Sequence, residues 1–193
     1  MQVTIRTAAV MPSYSIEARS FRVAFACCHN FWVIKDTGRE VTLAELHGLA
    51  YDRVRRIILP IGTNRQHALR VFVFPHDAQY ATTLGLRVSS TRMYARSRAH
   101  SVHRGSDGLA RWSAAVAALP LLDGLDIDYP PYGFNLLRPT MNSNAAYRTF
   151  GEIMDVPVHR FSGVLAPGGL QRLLTREEID RLRYRPEREP VAA

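Results

Sequence analysis

From Ser20 to Cys28 the chain reads S-F-R-V-A-F-A-C-C, with Phe21, Val23, Phe25 and Cys27 at every second position. A period of two is the mark of a strand with one buried face. His29-Asn30 follow, and then Phe31-Trp32-Val33-Ile34 forms a second strand or continues the first. Asp36-Thr37-Gly38-Arg39 has turn chemistry. Beyond it Val41, Leu43 and Glu45 alternate, so residues 20–46 read as an antiparallel hairpin that His47-Gly48 ends. Glu45 and His47 share strand parity and therefore one face of that strand.

Further along, the apolar run Val54–Ile61 is short and broken by Pro60, whereas Ala68–Phe74 is strongly β-like and stopped by Pro75. Gly85–Ser106 reads as a strand or irregular arm followed by a loop. Leu109–Leu119 has Trp112, Val116 and Leu119 at helical spacing and ends at Pro120. Asp123–Phe134 is a loop. Ser143–Met154 is a helix, with Ala146, Phe150, Ile153 and Met154 on one stripe and Asn142 or Ser143 as its cap. Val156–Phe161 reads as a strand. Thr175-x-x-Glu178 is a capping box that opens a short polar helix, Arg176–Tyr184. Before all of these, Val3–Ile5 alternates until Pro12. Strands outnumber helices, so the expected fold class is α+β, with a central antiparallel sheet and packed helices. Residues 1–174 form one domain, and 175–193 a short polar helix and a disordered tail.

Charge narrows the partners. Lys and Arg total 25 against 17 Asp and Glu, a net charge of +8, which draws the chain towards polyanions without choosing among them. Arg87, Arg92, Arg96, Arg98 and Arg104 lie in a stretch with no acidic residue, so an anionic polymer is one expected partner. One tyrosine, Tyr94, among five arginines is thin for a nucleic-acid surface. No apolar run is long enough to span a membrane. Met1–Ser15 holds a single Arg and no apolar core, so no secretory signal is visible. The expectation is therefore synthesis in the cytoplasm, with any export by a non-classical route.

The two cysteines, Cys27 and Cys28, are adjacent and have no third partner, which excludes a disulfide framework and a Cys-rich zinc site. They read as small buried hydrophobes. Of the seven His, only His100 and His103 have H-x-x-H spacing, and no H-E-x-x-H or phosphate-binding glycine loop occurs. No metal or cofactor is expected.

One constellation carries chemistry. His29 ends an apolar strand, Glu45 and His47 end the next, and Asn142-Ser143-Asn144 opens the later helix. A nucleophile at a helix N-terminus has free backbone N–H groups beside it that can bind an oxyanion. A strand His supplies the base, and a second polar residue orients it. The same residues also have plain structural uses: Asn142-Ser143-Asn144 is a good N-cap, and His29 a good strand-end hydrogen bonder.

The segments H-N-F-W-V-I-K-D (from His29) and Y-G-F-N-L-L-R-P-T-M-N-S-N-A-A-Y-R-T-F (from Tyr132) resemble the circularly permuted papain-like superfamily. It includes permuted NlpC-type peptidases, PPPDE peptidases and lecithin retinol acyltransferase-like enzymes. The resemblance covers about residues 20–50 and 128–155. It implies an early-strand His and a nucleophile opening a later helix. Where those families have Cys, this chain has Ser143. The resemblance implies a hydrolase or acyltransferase acting on an amide or ester. Ser143 would be the nucleophile, His29 the base and His47 or Glu45 its orienter. Asn142 and Asn144 would stand by the oxyanion, and Trp32 and Tyr132 would line the cleft. A bacterial enzyme acting on cell-wall peptides, or one acting on lipid esters, would fit. The alternatives are a catalytically silent binding module using the same cleft, or a basic nucleic-acid-associated protein.

Overall fold

The computed structural model describes residues 13–24, 26–135 and 139–186. Phe25, Leu136, Leu137, the alternation at Val3–Ile5 and the tail after Pro186 lie outside the described residues. The strands are β1 (Tyr14–Ala24), β2 (Cys27–Asp36), β3 (Val41–Asp52), β4 (Ile57–Leu59), β5 (His67–Pro75) and β6 (Arg98–Gly105). The helices are α1 (Ala78–Thr83), α2 (Arg92–Ala95), α3 (Gly108–Ala117), α4 (Leu119–Gly124), α5 (Ser143–Ile153) and α6 (Arg176–Leu182). All strand pairings are antiparallel, in the order β4-β3-β2-β1-β6, with β5 on the other edge of β3. The fold is α+β.

Strand parity sorts the residues between two faces. Ile16, Ile34 and Ala44 pair across three strands, as do Ala18, Trp32 and Leu46. These positions are buried to 0% exposure and form one core with Trp112 of α3 and Phe150 and Ile153 of α5. Helix α5 reaches that core along the Ala146, Phe150, Ile153 and Met154 stripe, and Gly151 leaves the space that the Trp32 ring fills. The opposite face carries Glu17, Arg19, Phe31, Val33, Glu45 and Phe74. Residues 91–97 cover part of it: Tyr94 lies under the Arg19 guanidinium and bonds Thr42 Oγ1.

Several elements differ from the sequence expectation. The single hairpin over 20–46 is a three-stranded meander, because β1 starts at Tyr14 and turns before Cys27. Asp36 Oδ1 accepts from the backbone N–H of Gly38 and Arg39, which makes the second turn as expected. His47-Gly48 does not end β3, which runs on to Asp52 because β5 pairs it along nine positions. Pro120 begins α4 at its first turn, where its missing N–H costs nothing. Residues 156–161 form no strand. Helix α6 is not an appendage, since Ile179 is buried in the main core and the Tyr184 N–H donates to Ile153 O. The basic stretch is not a free arm either: α2 packs on β1, and β6 is hydrogen-bonded to β1. Its arginines remain exposed.

Candidate active site

The site forms where the sheet forks. Strand β2 pairs with β3 only as far as Trp32 and Leu46, and β4 joins that edge of β3 from Ala50. The N-terminus of α5 fills the gap. Gly48 makes this approach available, because a Cβ there would lie 2.5 Å from Ala146 Cβ and 3.5 Å from Ser143 Cα.

Asn144 replaces the missing strand partner. Its Oδ1 accepts from Asn30 N (3.0 Å), and its Nδ2 donates to Cys28 O (3.0 Å), so one side-chain amide bonds the backbone on either side of His29. Beyond it, Cys28 N donates to Leu165 O and Leu165 N to Ala26 O. The exposed edge of β2 is thereby satisfied, and α5 is pinned at the level of His29.

Asn142 caps the helix. Its Oδ1 accepts from Asn144 N and Ala145 N, and its Nδ2 donates to Gly133 O and Pro167 O. Both ends of that side chain are committed. Asn142 and the Asn144 N–H are therefore not free oxyanion donors, and this corrects the role the sequence offered them: cap formation takes the same backbone groups.

The histidines are joined in a relay. His29 Nε2 lies 2.9 Å from His47 Nδ1, and His47 Nε2 lies 2.8 Å from Glu45 Oε2. Glu45, fully buried, also accepts from His76 Nε2 (2.5 Å), Thr91 N (2.9 Å) and Thr91 Oγ1 (2.5 Å). Burial pushes the Glu45 carboxyl up, but the bonds from His47 and His76 outweigh this and bring its pKa to about 2. An ionised Glu45 can only accept, so His47 carries its proton on Nε2 and presents a lone pair at Nδ1. His29 then carries its proton on Nε2, and its Nδ1 is left as a free base. Among the described residues Nδ1 has no hydrogen-bond partner. Burial, then the neighbouring His47, hold the His29 pKa well below its ordinary value, against a smaller upward pull from Glu45. Burial also lowers His47, opposed by its bond to Glu45. Both imidazoles are neutral at neutral pH.

This buried set predicts acid sensitivity. Each of the three groups binds its proton at lower pH in the folded chain than in the unfolded one, so stability falls as pH falls. The loss begins below the ordinary histidine value of 6.5 and continues from 4.5 towards about 2 as Glu45 protonates. The Glu45 shift alone is worth about 3 kcal/mol. Urea midpoints taken from pH 7.5 to pH 3.5 should decline steadily; a flat profile over that range rules the buried relay out.

His29 and Ser143 wall the same cavity, of about 780 Å³, without a hydrogen bond between them. Apo catalytic contacts are often loose and tighten on substrate binding. Asn142, Asn144 and Tyr132 line the same space, Tyr132 as a 74% exposed residue at the rim. Trp32 does not line it. It faces the helices, fully buried, stacked on Tyr147 and donating Nε1–H to Tyr147 O (2.7 Å). This corrects the cleft role expected of it, and parity is the reason: Trp32 and His29 are three positions apart and point to opposite faces. Cys28 likewise points away from His29 and donates Sγ–H to Asn30 Oδ1.

Three contributors were missed by sequence reasoning. His76 and Thr91 hold Glu45, and Tyr129 is buried against Ser143. Burial pushes the Tyr129 phenol up, and the Ser143 hydroxyl and backbone pull it partly back. In Asp128-Tyr129-Pro130-Pro131-Tyr132 nothing in the sequence separates the buried tyrosine from the exposed one.

Among the described residues no group of three or more His, Cys, Asp or Glu is arranged to hold a metal ion, and no helix is long and apolar enough to cross a membrane. Comparison of the chain with protein-family models, with curated proteins and with solved structures returns no match.

Proposed function

We propose that this protein is an acyl-transfer hydrolase of the permuted papain-like type, with Ser143 as nucleophile on an amide or ester carbonyl. The observation that carries this reading is the Glu45–His47–His29 relay, whose last unpaired nitrogen belongs to a residue of the cavity wall that Ser143 shares. A serine hydroxyl stays protonated near neutral pH and needs a base that is correctly protonated and held still. The relay supplies both properties.

In the first step His29 Nδ1 takes the Ser143 proton as Oγ bonds to the carbonyl carbon. The resulting imidazolium is stabilised through His47 by ionised Glu45. The Tyr129 hydroxyl, whose oxygen faces the Ser143 N–H, donates its own proton to the oxyanion, in place of the committed Asn142 and Asn144. The tetrahedral intermediate collapses, the bond to the leaving alcohol or amine breaks, and His29 returns the proton to it. Water then attacks the acyl-Ser143 ester, giving its proton to His29. The acid leaves, and Ser143 Oγ recovers its proton.

The resemblance suits a wall peptide or a lipid ester equally. The second reading, a silent binding module, draws on the Ser in place of Cys and on the capped N–H groups. A fluorophosphonate probe separates the two. Attack by an activated Ser143 displaces fluoride and leaves a phosphonyl group on its Oγ, which peptide mass spectrometry locates. Native protein that stays unlabelled refutes the nucleophile.

A further inference from the structure

Among the described residues, the cavity that holds Ser143 and His29 is polar around those residues, at the Tyr132 rim and along the Ser90–Arg92 segment. Phe21, Val23, Leu49, Ile58, Ile61 and Phe74 make up much of the remaining wall. Among the described residues Arg92 is the only charged one that lines it, and it is exposed. A wall peptide, with its carboxylates and amides, would lose water here and find few partners, which is costly. An alkyl chain loses nothing on leaving water. The volume of about 780 Å³ lies within the range of pockets that enclose a whole small ligand. Val23 and Ile58 are each 42% exposed, so the apolar wall continues to the surface and gives a chain a way in.

From this geometry we infer that the substrate is a long-chain acyl ester, its alkyl chain lying along the apolar wall and its carbonyl at Ser143. The inference rests on the hydrolase reading for the reaction and on the cavity alone for the chain. Arg92 stands at the polar end, where it meets an anionic head group on the leaving alcohol. Hydrolysis consumes one water and releases the fatty acid and that alcohol.

Two measurements test it. With p-nitrophenyl esters from acetate to palmitate, kcat/KM should rise about fourfold per added methylene until the cavity is full. Independently of turnover, cis-parinaric acid, a fluorescent long-chain fatty acid, should bind native protein and Ser143→Ala alike. Ile58→Arg should weaken that binding at least tenfold. Val54→Arg, which adds the same charge at a 71% exposed position outside the cavity lining, should not. A flat chain-length series together with no probe binding overturns the acyl assignment, even where short esters are still cleaved. Probe binding by Ile58→Arg equal to native also overturns it. Turnover that survives Ser143→Ala overturns the hydrolase mechanism instead and leaves the binding result standing, so the two failures are distinguishable.

Discussion

Replacing Ser143 by alanine should lower ester turnover by about 10⁴-fold or more, because a triad without its nucleophile retains only what binding and oxyanion donors supply. The fold should survive. Ser143 is the first residue of α5, and the cap is made by Asn142 through Asn144 N and Ala145 N, neither of which the substitution touches. The loss in stability should be about 1 kcal/mol, because only one hydroxyl, beside the buried Tyr129 phenol, is removed. Ser143 and His29 act on one proton, so the double variant Ser143→Ala/His29→Ala should be no slower than either single variant. Residual turnover within tenfold of native, in a folded Ser143→Ala protein, sinks the mechanism.

Glu45 should give the largest combined effect on turnover and stability. Its carboxylate accepts from His47, His76 and twice from Thr91, and it is fully buried. Glutamine is the same size but offers one acceptor oxygen and one NH₂ donor, so two of these donors meet a donor. The least costly adjustment is for His47 to accept at Nε2 and carry its proton on Nδ1. That change propagates: His29 must then accept at Nε2 and hold its proton on Nδ1, where the base should be. Glu45→Gln should thus lower kcat by about 10³- to 10⁴-fold through a wrong tautomer. It should also lose about 3–5 kcal/mol of stability, because buried donors lose their charge partner. Thr91→Val removes one donor only and should cost far less of both. A folded Glu45→Gln protein with near-native kcat means that the relay does not set the base.

Much of the strand framework is legible because its cause is local. The apolar run Phe31–Ile34 marked β2 and period-two alternation the start of β3, whereas the alternation Phe21–Cys27 runs across the junction of β1 and β2. Asp36 marked the turn, and Asn142 and the Ala146-Phe150-Ile153 stripe marked α5. Parity alone put Glu45 and His47 on one face, and the structure has them hydrogen-bonded there. The misses share a different cause. β3 outran its apparent end at Gly48 because β5, some twenty residues later, supplies hydrogen bonds that no local pattern announces. Val156–Phe161 has β-like residues but pairs with no strand, and propensity without a partner does not make a strand.

What the sequence determined by itself was an inventory. It supplied a strand histidine, a second histidine and a carboxylate in register on the next strand, and a serine behind an asparagine cap. These follow from side-chain parity and from capping chemistry, which act over a few residues. The tertiary structure decided which of these groups meet. The fork between β2 and β4 admits the tip of α5, the Asn144 amide ties that tip to either side of His29, and Thr91 and His76 close around Glu45. Tyr129 is set beside Ser143, while Trp32 and Asn142 are committed to packing and capping. Those outcomes depend on contacts between residues far apart in the chain, formed only as burial and hydrogen-bond satisfaction across the whole sheet are resolved together.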